Sequence, residues 1–60
     1  MKFFIQFINV NMNSGKIHIW NDTRDFNDFQ NAAFEAESFI IDYEKRNPFY
    51  KVFFKICKLS

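Results

Sequence analysis

Two residues in this 60-residue sequence, a histidine and a cysteine, are the first candidates for a catalytic base and a nucleophile. His18 is the one histidine and Cys57 the one cysteine, and neither stands at a spacing typical of a catalytic pair. One cysteine cannot form an internal disulfide, and one cysteine with one histidine cannot fill a zinc site. We therefore predict no metal and no cofactor, and structural or interfacial roles for both residues.

The glycine content and the positions of the carboxylates also argue against an enzyme. Because Gly15 is the only glycine, a glycine-rich phosphate-binding loop is excluded. The carboxylates include two close pairs, Asp22 with Asp25 and Glu35 with Glu37. Nothing in the surrounding sequence predicts the enclosed apolar pocket that acid catalysis by such a pair requires. The sequence predicts a protein without catalytic residues.

Aromatic residues dominate the composition, with ten Phe, two Tyr and one Trp. With 48% hydrophobic and 25% charged residues, the chain is predicted to fold as a single domain over residues 1–60. A domain this short buries only about 60% of its unfolded surface, so it depends on dense packing or on a partner. The formal charge of +1 excludes a strongly polybasic nucleic-acid binder and a strongly acidic mimic.

Turn residues divide the chain into strands and one helix. The polar stretch NMNSG separates apolar runs at about 2–10 and 16–21, and Gly15 suits the positive-φ position of the turn between them. Another apolar run follows at about 49–58. This order of elements predicts an α+β fold, a two-layer β-β-α-β arrangement in which one helix crosses one face of a three-stranded sheet. The order of the strands in the sheet stays open.

The helix is predicted at about 24–46. Three candidate N-caps, Asp22, Thr23 and Asp25, mark its start, and cations occupy its last turn. Pro48 biases the preceding residue away from the helical region and closes the element. At about 100° per residue one broad stripe is apolar, and this stripe is predicted to pack on the sheet. It comprises Phe26, Phe29, Ala32, Ala33, Ala36, Phe39, Ile40 and Tyr43.

A two-layer fold buries one face of its sheet, yet the strands carry apolar residues on both faces. The uncharged sets are assigned to the face under the helix: Phe3, Ile5, Phe7, Ile17, Ile19, Val52, Phe54 and Ile56. The opposite face then carries Phe4, Ile8, His18, Trp20, Phe53 and Cys57, bordered by Lys16, Lys51 and Lys55. Aromatic anchors within a charged rim are typical of protein interfaces. We predict that this face binds a protein, with Trp20 and Phe53 as anchors; the alternative is that lysine stems shield the rings and serve stability alone.

The helix predicts a second surface. Asp28, Glu35 and Asp42 recur every seven residues and form one row on its solvent side. Such a row suits docking to a basic groove, although an ordinary solvated helix has the same pattern. Phe34 and Ile41 lie outside the packing stripe and either tuck under the hairpin or protrude toward a partner. The predicted partner-binding residues are Phe4, His18, Trp20, Phe53, Lys51, Lys55, Asp28, Glu35 and Asp42.

Three classes of partner fit these surfaces. Another protein is the leading one, and a second copy of the chain, stacked about a two-fold axis, is the first alternative. Single-stranded nucleic acid is the second alternative, because aromatic residues alternate with Lys51 and Lys55. The nearly equal numbers of acidic and basic residues count against nucleic acid.

A cytoplasmic location is expected from what the sequence lacks. No segment approaches the roughly 18 uninterrupted apolar residues of a membrane span. Gln6 and Asn9 interrupt the apolar run near the start, which we interpret as a strand and not as a signal peptide. No interaction with a membrane is predicted.

The polar turn NMNSG, the helix around FQNAAFEAESFI and the terminal strand YKVFFKI follow each other along the whole chain. This pattern resembles that of small phage-encoded proteins that disable host machinery, namely the phage inhibitor of bacterial RNA polymerase, compact anti-CRISPR proteins and phage antitoxins. The resemblance implies stoichiometric inhibition in the host cytoplasm, by occlusion of a surface on a host enzyme or nucleoprotein complex. It transfers no individual functional residue.

Overall fold

A computed structural model describes residues 1–59 as three strands and one helix. The elements are β1 (Phe3–Asn11), β2 (Ile17–Phe26), α1 (Phe29–Arg46) and β3 (Tyr50–Lys58). β1 lies in the centre of the sheet and pairs antiparallel with β2 on one side and with β3 on the other. The helix packs on one face of this sheet. The predicted α+β, β-β-α-β fold is confirmed, and the strand order is β2-β1-β3.

A polar turn sets the register of the β1-β2 hairpin. Gly15 has a φ of 76°, which favours glycine, and its N–H donates to the Asn11 carbonyl at 2.7 Å. The side-chain oxygen of Asn11 accepts the backbone N–H groups of Asn13 and Ser14. The backbone N–H of Asn11 donates to the Lys16 carbonyl at 2.9 Å. These bonds fix which residues of the two strands lie opposite each other.

The register places the side chains of β2 on the opposite faces of the sheet from those predicted. Trp20 lies across from Phe7 and His18 shares its side, so both face the helix. Ile17 and Ile19 lie on the other side, where they are 63% and 56% exposed. The predicted faces of β2 are therefore wrong. Apolar residues occupy both alternating sets of KIHIWN, so the alternation does not show which set faces the helix. A shift of one residue in the pairing exchanges the two faces.

The core lies between the helix and the sheet and is small. Its buried apolar residues are Ile5, Phe7, Ala32, Ala36 and Val52. Partly buried side chains surround it, namely Trp20, Phe26, Ile40, Tyr43, Phe54 and Ile56. The inward residues predicted for β1 and β3 lie on this side of the sheet. No helix within residues 1–59 is long and apolar enough to cross a membrane.

β2 extends to Phe26, and the helix begins only at Phe29 instead of near residue 24. The pairing of β1 with β2 is irregular between Phe4 and Gln6, and it resumes with Phe3 opposite Phe26. The predicted N-caps therefore lie in the strand: Asp22, Thr23 and Asp25. Asp28 occupies the N-cap position. Burial of the Phe26 ring against the core outweighs the capping signal of the residues before it.

The helix ends as predicted, with cations in its last turn. The N–H of Asn47 donates to the Tyr43 carbonyl at 2.9 Å. Glu44 reaches the neighbouring strand, where its carboxylate accepts the N–H of Val52 at 2.8 Å. The N–H of Tyr50 donates to the Asn47 carbonyl at 3.0 Å. Two N–H groups on the outer edge of β3 are thus satisfied within the chain.

Candidate interaction surface

The face of the sheet that points away from the helix is uncovered, and its side chains form four cross-strand rows. In the order β2, β1, β3, starting from the hairpin turn, the rows are Ile17, Val10 and Lys51; Ile19, Ile8 and Phe53; Asn21, Gln6 and Lys55; Asp25, Phe4 and Cys57. The apolar patch is defined here as Ile8, Val10, Ile17, Ile19 and Phe53. The patch is continuous, because directly opposed side chains on neighbouring strands touch.

The patch is open to solvent at both edges of the sheet. Phe53 is 50% exposed, and Ile17 and Ile19 are exposed to a similar degree. Ile8 and Val10 are half-buried because their strand lies between the other two. The outer strands therefore carry most of the apolar surface that a partner could cover.

Met12 and Phe49 extend this apolar surface beyond the strands. The N–H of Met12 donates to the Phe49 carbonyl at 2.8 Å, which continues the pairing of β1 with β3 by one residue. Both side chains are exposed. By the alternation of the strands, they continue the row pattern of the open face at the end where the patch lies.

Charges border the patch on one side. Lys51 and Lys55 are exposed on β3 and lie on the same face as Phe53. Asp25 stands at the far end of β2, beyond the polar row that contains Gln6. The border nearest the patch is therefore cationic, which favours a partner with acidic residues around an apolar surface.

The dimensions of the molecule limit the size of an interface on this face. Three strands of nine or ten residues present a face of about 30 by 14 Å, or about 400 Å². The chain measures 38 × 19 × 14 Å, and its radius of gyration of 12.1 Å exceeds the value of about 10 Å expected for a compact chain of this length. A standard interface buries about 800 Å² per partner. The open face alone thus suits a small interface, and a larger one would also use the exposed residues at the hairpin end.

The structure separates the predicted partner-binding residues into two sets. On the open face lie Phe4, Phe53, Lys51 and Lys55. Trp20 lies on the helix side, stacked on Phe7 with ring centroids 5.3 Å apart and 6.2 Å from Phe39. His18 stacks on the other side of Trp20 at 5.6 Å. Trp20 and His18 therefore cannot share a binding surface with Phe53, and Trp20 contributes to the core.

Sequence reasoning missed Ile17 and Ile19 as residues of the open face. The signal that would have found them is the hairpin register, because Val10 lies opposite Ile17 once the turn is specified. The prediction that an apolar surface faces away from the helix holds with these two isoleucines in place of the tryptophan.

The acidic row of the helix borders the packed face on the β2 side. The Arg24 guanidinium lies 3.3 Å from the Glu35 carboxylate, and Arg46 pairs with Asp42. Asp28 lies in the same row, at the start of the helix. Two of the three acids thus stand beside a guanidinium, so the row presents less net negative charge than its sequence predicts. Its role in binding stays a prediction.

Arg24 joins β2 to the helix. Its guanidinium donates to Asp22 and Glu35 and lies over the Phe26 ring, 5.3 Å from the centroid. The hydrogen bond to Asp22 is the main cause that raises the pKa of Arg24 above its ordinary value. We assign this cluster a structural role, because its contacts connect the irregular part of β2 to the helix.

Phe34 and Ile41 protrude from the outermost side of the helix, where they are 67% and 69% exposed. Of the two alternatives considered for these residues, protrusion is correct. They lie two helical turns apart, about 10 Å along the axis, and do not form a continuous surface like the open sheet face. They provide matched controls for substitutions on that face.

The two side chains with catalytic chemistry do not meet. His18 points to the helix side of the sheet and Cys57 to the open face. Residues 1–59 hold no group of three or more His, Cys, Asp or Glu side chains arranged to bind a metal ion. The chain matches no protein-family model, no curated protein and no solved structure.

Proposed function

We propose that this chain is a non-catalytic protein-interaction module that binds another protein through the apolar patch of its open sheet face. The observation that carries the proposal is the exposure of Ile17, Ile19 and Phe53 on one continuous surface. Exposed apolar patches of a few hundred Å² mark interaction sites in soluble proteins. Covering this patch would give the sheet a second buried face.

The kind of partner follows from the border of the patch. Lys51 and Lys55 favour an apolar surface rimmed by acidic residues, and two copies of the open face would bring their lysines into one interface. The partner we propose is an enzyme or a nucleoprotein complex, whose working surface the bound chain would cover. This is the stoichiometric inhibition that the resemblance to phage inhibitors implies.

Single-stranded nucleic acid fits the open face less well than a protein does. Bases bind by stacking on aromatic rings, but four of the five patch residues are aliphatic. Tyr50, the aromatic residue next to Lys51 in the sequence, lies on the helix side of the sheet. Phe53 is the one ring within the patch.

The test compares two double variants with the same substitutions on opposite sides of the molecule. Ile19→Ser with Phe53→Ser removes two exposed side chains from the patch, and Ile41→Ser with Phe34→Ser removes the same residue types from the outer helix face. Each tagged variant and the wild type are used to capture proteins from a bacterial lysate, and far-UV circular dichroism checks that they are folded. Any captured protein is then purified, and its affinity for each variant is measured.

We expect the patch variant to bind at least about tenfold more weakly, because loss of a central apolar anchor typically costs over 1 kcal/mol. The helix variant should bind like the wild type. Equal affinity of the patch variant and the wild type would contradict the proposal. Loss of binding in the helix variant alone would move the binding surface to the helix.

A second copy of the chain is the alternative partner, and the thin core favours it. Two of the five buried apolar residues are alanines, and small domains often gain stability by oligomerisation. Sedimentation equilibrium from about 1 mM to 1 μM separates the cases. A dimer that the patch variant abolishes would replace the foreign partner, whereas a monomer throughout supports it.

A further inference from the structure

A notch of about 390 Å³, with mixed polar and apolar walls, opens on the helix side of the sheet, next to the hairpin turn. Tyr43 of the helix and Tyr50 of β3 form two walls, with ring centroids 6.1 Å apart and an interplanar angle of 78°. Lys16 and His18 close the notch from the β2 side. Its volume falls within the range of small-molecule sites. Ile17 of the apolar patch also lines the notch, but the hydrogen-bond donors of the notch are not residues of the patch, so a ligand here would be independent of the proposed function.

The hydrogen bonds around Asn11 determine what the Tyr50 hydroxyl can offer. The Asn11 side-chain oxygen accepts two backbone N–H groups of the turn, at 2.9 and 3.2 Å. Its amide nitrogen must therefore be the atom that faces Tyr50, and it donates to the Tyr50 hydroxyl oxygen at 3.3 Å. A hydroxyl that accepts this bond keeps its own proton for another acceptor. Tyr50 can thus donate into the notch.

Tyr43 also accepts a hydrogen bond from an asparagine side chain. The amide nitrogen of Asn9 donates to the Tyr43 hydroxyl oxygen at 3.0 Å, so the Tyr43 proton is also available. Asn9 is only 8% exposed, and its side-chain oxygen has no hydrogen-bond partner among the described residues. Asn9 is thus a largely buried lining residue of the notch, and its one side-chain bond is to Tyr43.

The lining of the notch also contains a cationic donor. Lys16 adds an ammonium group, and no carboxylate lines the notch within residues 1–59. Three residues with donor groups, Tyr43, Tyr50 and Lys16, thus line one notch whose walls include no acidic side chain. A phosphate monoester presents three strong acceptor oxygens and negative charge to such a set.

We propose that this notch binds a phosphate monoester carried on a flat ring. The phosphate oxygens accept from Tyr43, Tyr50 and Lys16. The ring lies among the aromatic walls, which include His18, held in place by its stacking on Trp20 at 5.6 Å. The ring is part of the proposal because the notch has far more volume than an inorganic phosphate fills.

The test is a titration of the full chain followed by two-dimensional ¹⁵N NMR. Phenyl phosphate is the probe, and inorganic phosphate and phenol supply its charge and its ring separately. We expect phenyl phosphate to saturate with a Kd on the order of 1 mM and to shift the amides of residues 9–18 and 43–50. Inorganic phosphate and phenol should each bind at least about tenfold more weakly. Failure of phenyl phosphate to saturate below about 10 mM, or equal binding of phenol, overturns the proposal.

Variants assign the effect to the notch. Tyr50→Phe removes one hydroxyl and keeps the ring, and Lys16→Gln removes the ammonium; each should weaken phenyl phosphate binding about tenfold. Lys51→Gln is the matched control, because Lys51 is an exposed lysine on the opposite face of the sheet. An equal loss in Lys51→Gln would show attraction to any exposed lysine and would refute a built site. Unchanged binding in Tyr50→Phe and Lys16→Gln would do the same.

Discussion

Ile19 and Trp20 are neighbours in one strand but lie on opposite faces of the sheet, so serine at each position tests the register directly. Trp20 packs on Phe7 and Phe39 and is partly buried. With about 160 Å² of its surface removed from water, at about 25 cal/mol per Å², Trp20→Ser is expected to cost about 4 kcal/mol. Ile19 is 56% exposed, so Ile19→Ser should cost about 1 kcal/mol.

The larger of these two values falls within the range of the whole free energy of unfolding expected for a chain of this length, and the smaller lies below that range. At about 0.05–0.15 kcal/mol per residue, a 60-residue chain has a free energy of unfolding of about 3–9 kcal/mol. Ile19→Ser should therefore remain folded, with a melting temperature lowered by about 4–8 °C. Trp20→Ser should lose roughly half or more of the free energy of unfolding and have a much lower urea midpoint than Ile19→Ser.

Urea unfolding followed by far-UV circular dichroism measures both variants, since the helical signal does not depend on the tryptophan. The wild type and both variants are compared at equal, low concentration, so that self-association does not add to stability. A larger loss of stability in Ile19→Ser than in Trp20→Ser would refute the register. It would place the isoleucines under the helix and the tryptophan on the open face.

Three further substitutions test single contacts, each by the urea midpoint. Asn9→Val should raise stability by about 1 kcal/mol, because it removes a buried oxygen without a partner and Tyr43 can bond to water instead; a lower midpoint would show that the Tyr43 bond outweighs this cost. Glu44→Ala should lower stability by about 1.5 kcal/mol by freeing the Val52 N–H, whereas Glu44→Gln keeps an acceptor; equal losses would contradict this role. Gly15→Ala should lower stability by about 1 kcal/mol because Gly15 has a positive φ, and Gly15→Asn should lower it less because Asn tolerates this conformation better. No atom lies within 4 Å of an added Cβ, so a steric clash does not contribute. Identical midpoints of the two variants would refute a backbone cause.

Local sequence patterns predicted the parts of the fold in which the pattern of residue types allowed only one assignment. In β3 the residues of one parity include Val52 and Phe54, and those of the other include Lys51 and Lys55, so the buried face was unambiguous. Pro48 closed the helix at the right place. The open face was predicted correctly as a surface, because one helix cannot cover both sides of three strands.

The errors have one physical origin, which is that pairing between strands decided what local pattern could not. Along β2, isoleucines occupy one parity and Trp20 the other, and only the hydrogen bonds of the turn select between them. The residues before Phe26 have the composition of a helix start, yet Phe26 pairs opposite Phe3 and packs on the core. The first decision is made by the turn that precedes β2, and the second by Phe3, which is distant from Phe26 in the sequence.

The bond between Glu44 and Val52 has a consequence for how the sheet can grow. Together with the bond from Tyr50, it occupies the first half of the outer edge of β3. The β2 edge, in contrast, has no charged residue between Ile17 and Asn21. Strand addition is thus more favourable at the β2 edge than along the first half of the β3 edge.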